Sequence, residues 1–276
     1  MLFRSFIAGL FALVSPHAFA AAAAPTKPVK IVLGYTPVAE TVAAYAALKE
    51  GYFREAGLDV QFLLVNNSAI LANSLVAKSI DVASITPSVF LQAVDNGIDF
   101  TAFTGSAIAS GRHTGGVIVR EGVNVKGPQD FIGKKVAVSG LRSATHIEFV
   151  NWLEENNVDP KKVRFLEAPF PAQQDLLKSG SVDATLSIDP FLTRTVNAKV
   201  AHVVTWLSDK IPLDTSLVFF AGRGEWVKQN PAIVKAFRAA VTKGIAFVDA
   251  NPAKAHDYRS EEHTSELQSH LNSYAV

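Results

Sequence analysis

The sequence predicts an α/β fold of two like lobes, each a mostly parallel sheet flanked by helices, joined by two hinge strands. Three observations carry that prediction. Apolar runs of strand length alternate with stretches of helical periodicity along most of the chain, and such alternation builds parallel sheets with helices on both faces. The alternation runs twice: "LVAKSIDVASITPSVF" and "LLKSGSVDATLSIDPFL" share a helix ending in Lys-Ser, an Asp opening a buried strand, and a Pro just inside the next helix. No Gly/Ser-rich linker parts the two runs. Only "SAIASGRHTGGVIV" and "DTSLVFFAGRG" connect them. Read as hinge strands, they make the first lobe from both ends of the chain and insert the second within it. The expected boundaries are 25–113 and 220–258 for the first lobe and 114–219 for the second.

The elements follow in order. "VKIVLGY" (Val29 to Tyr35) is a strand, and "TVAAYAALKEGYF" is a helix closed by Gly51, where a glycine can take the left-handed turn that ends helices. "LDVQFLLV" is the next strand, a helix runs from about Ala69 to Lys78, and "DVASI" is a buried strand. The second lobe repeats this with "KKVAVS" (strand), "ATHIEFVNWLEENN" (helix), "KVRFLEA" (strand), "PAQQDLLKSG" (helix) and "VDATLSI" (strand).

The ends read differently. "MLFRSFIAGLFALVSPHAFA" has Arg4, an apolar run from Phe6 to Val14 and an Ala18-Phe19-Ala20 cleavage site, the three regions of a secretory signal peptide at 1–20. The run is far below the roughly 20 residues that span a bilayer. Export to the periplasm, with no membrane insertion after cleavage, is the expectation. At the other end, "RSEEHTSELQSHLNSYAV" has neither apolar periodicity nor a capping signal. Arg259 to Ser269 resembles the translation of a sequencing-library adapter, so 259–276 is read as a non-native tail.

Composition excludes several functions. The chain has 276 residues, 49% hydrophobic, with 26 Lys and Arg against 25 Asp and Glu. No basic stripe stands out, so nucleic acid is not an expected partner. There is no cysteine, which removes thiolate chemistry and a lipid-modified anchor. No G-x-S-x-G elbow, phosphate-binding Gly loop or G-x-G-x-x-G fingerprint occurs, and no His and carboxylate set has metal-ligand spacing. The chemistry left is recognition, with no metal, no cofactor and no catalytic residue expected.

In open parallel sheets, ligands bind where strands end and helices begin. Those points are "YTPVAE", "NNSA", "TPS", "SGLRSAT", "APFPA" and "IDP". Each is a helix start whose free N–H groups and positive dipole end favour an anion. Thr145 and Glu148 fit the S/T-x-x-E capping box, and Arg142 offers a fixed positive fork. For Ser143 and Thr145, plain capping stands beside ligand contact. His113, in the hinge stretch, is open to a cleft contact or a structural bond, and His146, in a first helical turn, should be neutral. Asp189 has two open roles, helix cap or partner of an ammonium or hydroxyl group. Phe170, Phe191 and Tyr35 either wall an apolar slot or pack as core.

Three stretches carry a family resemblance: "LKEGYFREAGLDVQFL", "KSIDVASITPSVFLQAVDNGIDF" and, most of all, "DFIGKKVAVSGLRSATHIEFVNWLEENNVDPKKVRFLEAPFPAQQDLLKSGSVDATLSIDPF". They resemble the periplasmic substrate-binding components of ABC importers for nitrate, taurine and aliphatic sulfonates, over roughly Lys30 to Tyr258. The resemblance implies the two-lobed type II periplasmic-binding-protein fold. It also implies ligand contacts at Tyr35, Thr36, Asn67, Ser68, Thr86, Arg142, Ser143, Thr145 and Asp189. Where many relatives have Gly-Ser or Gly-Thr after the second-lobe strand, this chain reads Ser-Gly-Leu-Arg-Ser-Ala. The implied function is that of a monomeric, non-enzymatic receptor that captures a small organic anion, a sulfonate, taurine or similar oxyanion, and delivers it to an ABC permease. The alternative on the same fold is a binding protein for, or a synthase of, a thiamine pyrimidine precursor.

Overall fold

In a computed structural model, the described residues are 27–65, 68–109, 113–255 and 257–258. The expected signal peptide and the expected non-native tail both lie outside them. The first half runs β1 (Val29–Tyr35), α1 (Val42–Lys49), α2 (Tyr52–Glu55), β2 (Leu58–Leu64), α3 (Ser68–Val76), β3 (Val82–Ile85), α4 (Pro87–Asp95) and β4 (Phe100–Ile108). After a crossing come β5 (Gly115–Arg120), β6 (Lys135–Val138), α5 (Ala144–Glu155), β7 (Arg164–Glu167), α6 (Phe170–Lys178), β8 (Ala184–Ile188), α7 (Phe191–Asn197) and β9 (Ala201–Thr205). The chain then returns through β10 (Ser216–Arg223), α8 (Gly224–Gln229) and α9 (Pro231–Ala250).

Two five-stranded sheets result, in the orders β2-β1-β3-β10-β4 and β7-β6-β8-β5-β9. The orders are the same once the crossing strands are matched. β1 pairs parallel with β2 and β3, and β6 pairs parallel with β7 and β8. The fourth place in each sheet is taken by the strand that arrives from the other lobe, β10 or β5. Each runs antiparallel to both neighbours. The remaining strands share one direction, so each sheet is mostly parallel, as the strand and helix alternation predicts. β10 is paired from Ser216 opposite Ile108, so the chain re-enters the first sheet a few residues ahead of the expected boundary at 219/220. The pairing of β10 with β3 and β4 decides this, a long-range contact that local sequence does not encode.

Apolar layers cover both faces of each sheet. β3 is buried at every position, and β8 at all but its last, as strands sandwiched between helices must be. In the first lobe Phe53, Phe220 and Phe237 pack on one face with α1 and α9, while Leu71, Leu75 and Ile85 fill the other with α3 and α4. In the second lobe Phe131, Phe149 and Leu153 form one layer, and Leu177, Val182 and Leu192 the other. A small fifth cluster joins Val38 of the first lobe to Phe170, Phe191 and Ile188 of the second.

The two crossings are stitched together. Ala109 N–H donates to Thr215 O (2.8 Å), and Asp214 N–H donates to Ala109 O (2.9 Å). Ser208 Oγ accepts from the N–H groups of Thr114 and Gly115, both at 3.1 Å. Each crossing also holds a residue in the left-handed region, His113 (φ 62°) and Asp214 (φ 66°). Such residues at element ends are where hinges absorb backbone rotation.

Candidate functional site

The site is a cleft between the lobes, at the ends of strands and the starts of helices. Thr36 and Val38 follow β1, Glu40 lies in the short turn before α1, Ser84 is on β3, and Thr86 is the N-cap of α4. The second lobe answers with Ser139 after β6, with Ser143, Ala144, Thr145 and Glu148 at the start of α5, with Phe170 opening α6, and with Ile188 ending β8. Thr114, Gly115 and Ser208 of the crossings close one side. The wall is apolar surface studded with hydroxyls. Among the described lining residues the ionisable groups are Glu40 and Glu148, and none is Lys, Arg or His. Among the described residues no group of three or more His, Cys, Asp and Glu could hold a metal ion.

Two lining groups are poised rather than satisfied. Ser84 is 3% exposed, and its Oγ has no hydrogen-bond partner among the described residues. Glu148 stands on α5 three residues after Thr145, a spacing that puts both on one helical face. Burial alone, with no charge or donor facing it, pushes the Glu148 carboxyl up to about 7 from the usual 4.5. In the folded protein this group therefore holds a proton that the unfolded chain has already released. Its contribution to stability falls as pH rises from about 4.5 to about 7. Glu148→Gln should accordingly raise the urea midpoint above that of the parent at pH 8 and make no difference near pH 4. Urea unfolding at the two pH values checks this.

Thr36, Thr86, Ser143 and Thr145 line the cleft. Ser143 is also the N-cap of α5, its Oγ accepting from His146 N–H at 3.4 Å. This corrects the expected Thr145/Glu148 capping box. The cap sits two residues earlier, which frees the Glu148 side chain to face the cleft. Tyr35 is 5% exposed and packs in an aromatic cluster with Tyr45 and Phe62, not in the cleft wall, because the alternation of β1 turns it to the other side from Thr36. Phe170 lines the cleft, and Phe191 stacks behind it at 5.8 Å.

Arg142 points to solvent and is not part of the lining. Its backbone is held left-handed (φ 64°) by N–H donation to His146 Nδ1 (2.9 Å), and its carbonyl accepts from Gln92 Nε2 of α4 (3.1 Å), a bond between lobes. Accepting at Nδ1 fits the direction in which burial moves His146, downward, so the ring is neutral. His113 is a hinge residue: its N–H donates to Asp209 Oδ1 (2.8 Å), and its Nε2 pairs with Asp209 Oδ2 (3.0 Å). Asp189 Oδ1 accepts from Thr193 N–H (3.1 Å) and Thr193 Oγ1 (2.6 Å), capping the first turn of α7. It borders an adjoining hollow that it shares with Glu40 and Ser208. Asn67 lies outside the described residues, and Ser68 opens α3.

A family model described as NMT1/THI5 like matches residues 39–255, most of both lobes. The chain belongs to the NMT1/THI5-like family. No curated protein matches it by sequence. Among solved structures this family member is similar to the alkanesulfonate-binding protein SsuA from Xanthomonas axonopodis pv. citri bound to MOPS, with a TM-score of 0.75, 14% identity, and coverage of 86% of this chain and 80% of that one. The periplasmic aliphatic sulphonate binding protein SsuA from Escherichia coli gives 0.69 and 16%, covering 89% and 84%. The periplasmic nitrate-binding protein NrtA from Synechocystis gives 0.73 and 19%, covering 84% and 66%. The fold is thus that of two-lobed periplasmic binding proteins.

The residues that sequence reasoning underweighted are Ser84, Glu40 and Glu148. The three-residue spacing of Glu148 from Thr145 puts the two on one helical face but reads first as a capping box. Ser84, inside a strand buried at every position, gave no local signal.

Proposed function

We infer that the chain is the periplasmic solute-binding component of an ABC importer and binds rather than transforms its solute. The observation that carries this reading is the cleft: one wall comes from each lobe, and the chain passes between the lobes at two crossings that are hydrogen-bonded to each other and hold left-handed residues. Rotation about those crossings opens and closes the cleft. The Gln92 to Arg142 bond and the packing of Val38 on Phe170 and Phe191 are contacts that closure makes and opening breaks.

Two cargo classes compete. A sulfonate, taurine or similar oxyanion is supported by the starts of α4, α5 and α6, whose first residues or caps line the cleft and offer N–H groups and dipole ends, and by the sulfonates and nitrate that the similar proteins bind. A thiamine pyrimidine precursor is supported by the Phe170 ring, the two carboxyl groups and the family description. For a synthase on the same fold, the same cleft would have to hold catalytic groups beyond Glu40 and Glu148.

A thermal-shift panel of alkanesulfonates, taurine, nitrate, sulfate, bicarbonate and a pyrimidine precursor tests the receptor reading. A solute at about 100 times its Kd adds roughly 2.7 kcal/mol and raises the midpoint by several degrees. Turnover of the pyrimidine precursor, or no shift from any solute, would overturn it.

A further inference from the structure

Glu148 performs no task that the fold explains. Ser143 caps its helix, and no donor or cation among the described residues meets its carboxyl. A carboxyl desolvated in this way lowers stability in its charged form unless a bound molecule complements it. A second, independent observation lies in the other lobe. Ser84, buried in β3, directs an unpartnered hydroxyl into the same cleft. Apolar surface completes the wall, from Val38 and the ring of Phe170. The described lining therefore presents carboxyl and hydroxyl acceptors around a hydrophobic surface, and no basic side chain.

We propose that the cleft receives a solute carrying a positively charged nitrogen, a protonated amine or amidine, and that Glu148 is the residue that selects for it. The inference rests on the receptor reading given above. The nitrogen donates to the Glu148 carboxylate in a charge-assisted pair, stronger than a neutral hydrogen bond. The apolar body of the solute lies against Phe170 and Val38, whose ring and methyl groups shield the pair from water. Ser84 Oγ takes up a further polar atom of the same solute.

The pairing requires ionised Glu148, so binding expels the proton held there. Glu40 is the other ionisable group of the described lining, and it favours the same charge on the solute. His146, on α5 itself, is neutral and turns its ring to Phe165. The elements packed against α5 carry Asp95 (α4), Arg120 (β5), Asp130 (turn 128–131) and Lys161 and Lys162 (turn 160–162), and none of these lines the cleft.

The experiment is isothermal titration of the purified protein and of Glu148→Gln with benzylamine, benzamidine and phenethylamine, beside benzyl alcohol and benzenesulfonate, at pH 6 and pH 8. For a group whose free pKa is about 7, the organic cations should bind the parent about tenfold more weakly at pH 6 than at pH 8. Glu148→Gln should lose about tenfold or more in cation affinity at pH 8 and flatten the pH dependence. The urea measurement above shows separately that the variant folds. Benzenesulfonate binding that tightens at pH 6, or cation affinity indifferent to Glu148→Gln, overturns this inference and leaves the receptor reading standing. Silence from these five compounds together with silence from the oxyanion and pyrimidine panel overturns the receptor reading, and this inference with it.

Discussion

Phe237→Ala should lower the stability of the first lobe by roughly 3 to 5 kcal/mol, the usual cost of emptying a large aromatic site in a packed core. Phe237 is 1% exposed, and its ring meets Phe53 at 5.1 Å, Phe220 at 5.3 Å and Phe103 at 5.8 Å. It is carried by α9, which reaches the first sheet only after the chain has built the whole second lobe. Removing the ring thus weakens the attachment of the returning segment to β2, β4 and α1. Hydrogen exchange should report fast exchange through β1 and β3, while β6 and β8 stay protected. Equal loss of protection in both sheets would show that the lobes unfold as one unit. A loss under about 1 kcal/mol would contradict the packing argument.

The second lobe has its own sensitive point, at Gly116. A Cβ added there would lie 2.4 Å from Thr205 O and 3.3 Å from Trp206 Cα, a backbone approach that no rotamer relieves. Gly116→Val should therefore cost about 3 kcal/mol, at the upper end of overpacking effects. The damage should reach the cleft as well. Pushing β9 and Trp206 outward moves Ser208, which holds the N–H groups of Thr114 and Gly115, and all three line the cleft. Gly105→Ala serves as the comparison, since nothing lies within 4 Å of its added methyl group. It should change stability by less than about 1 kcal/mol. Urea unfolding of both variants, with the thermal-shift panel repeated on Gly116→Val, checks the pair; parity of the two would mean that β9 yields without cost.

The fold was largely legible because its signals are periodic and local. Strand runs such as "VASI" and "ATLSI" carry no charge and only small hydroxyls among apolar residues since helices cover both faces, and the break at Ser139 to Ser143 marks a strand end and a helix start without any long-range knowledge. The repeated Lys-Ser, Asp and Pro pattern announced two like lobes. The site was half legible for the same reason: Thr36, Thr86, Ser143 and Thr145 stand where strand ends and helix starts must stand, and the structure gathers them on one cleft. Their contact with a solute is the proposal made above.

By itself, then, the sequence determined the element types, the two-lobe repeat and the strand-end position of the site, because each follows from periodicity, capping and turn chemistry within a dozen residues. Tertiary structure alone decided which strand fills the antiparallel place in each sheet, and that Tyr35 packs as core. It also decided that His113 ties a crossing to Asp209, that Arg142 joins the lobes through its carbonyl, and that Ser84 and Glu148 face a shared cleft from opposite lobes. The physical reason is distance along the chain. A cleft lining is assembled from segments dozens of residues apart, and whether a carboxyl there is a cap, a surface charge or a receptor for a cation depends on what the other lobe places opposite it.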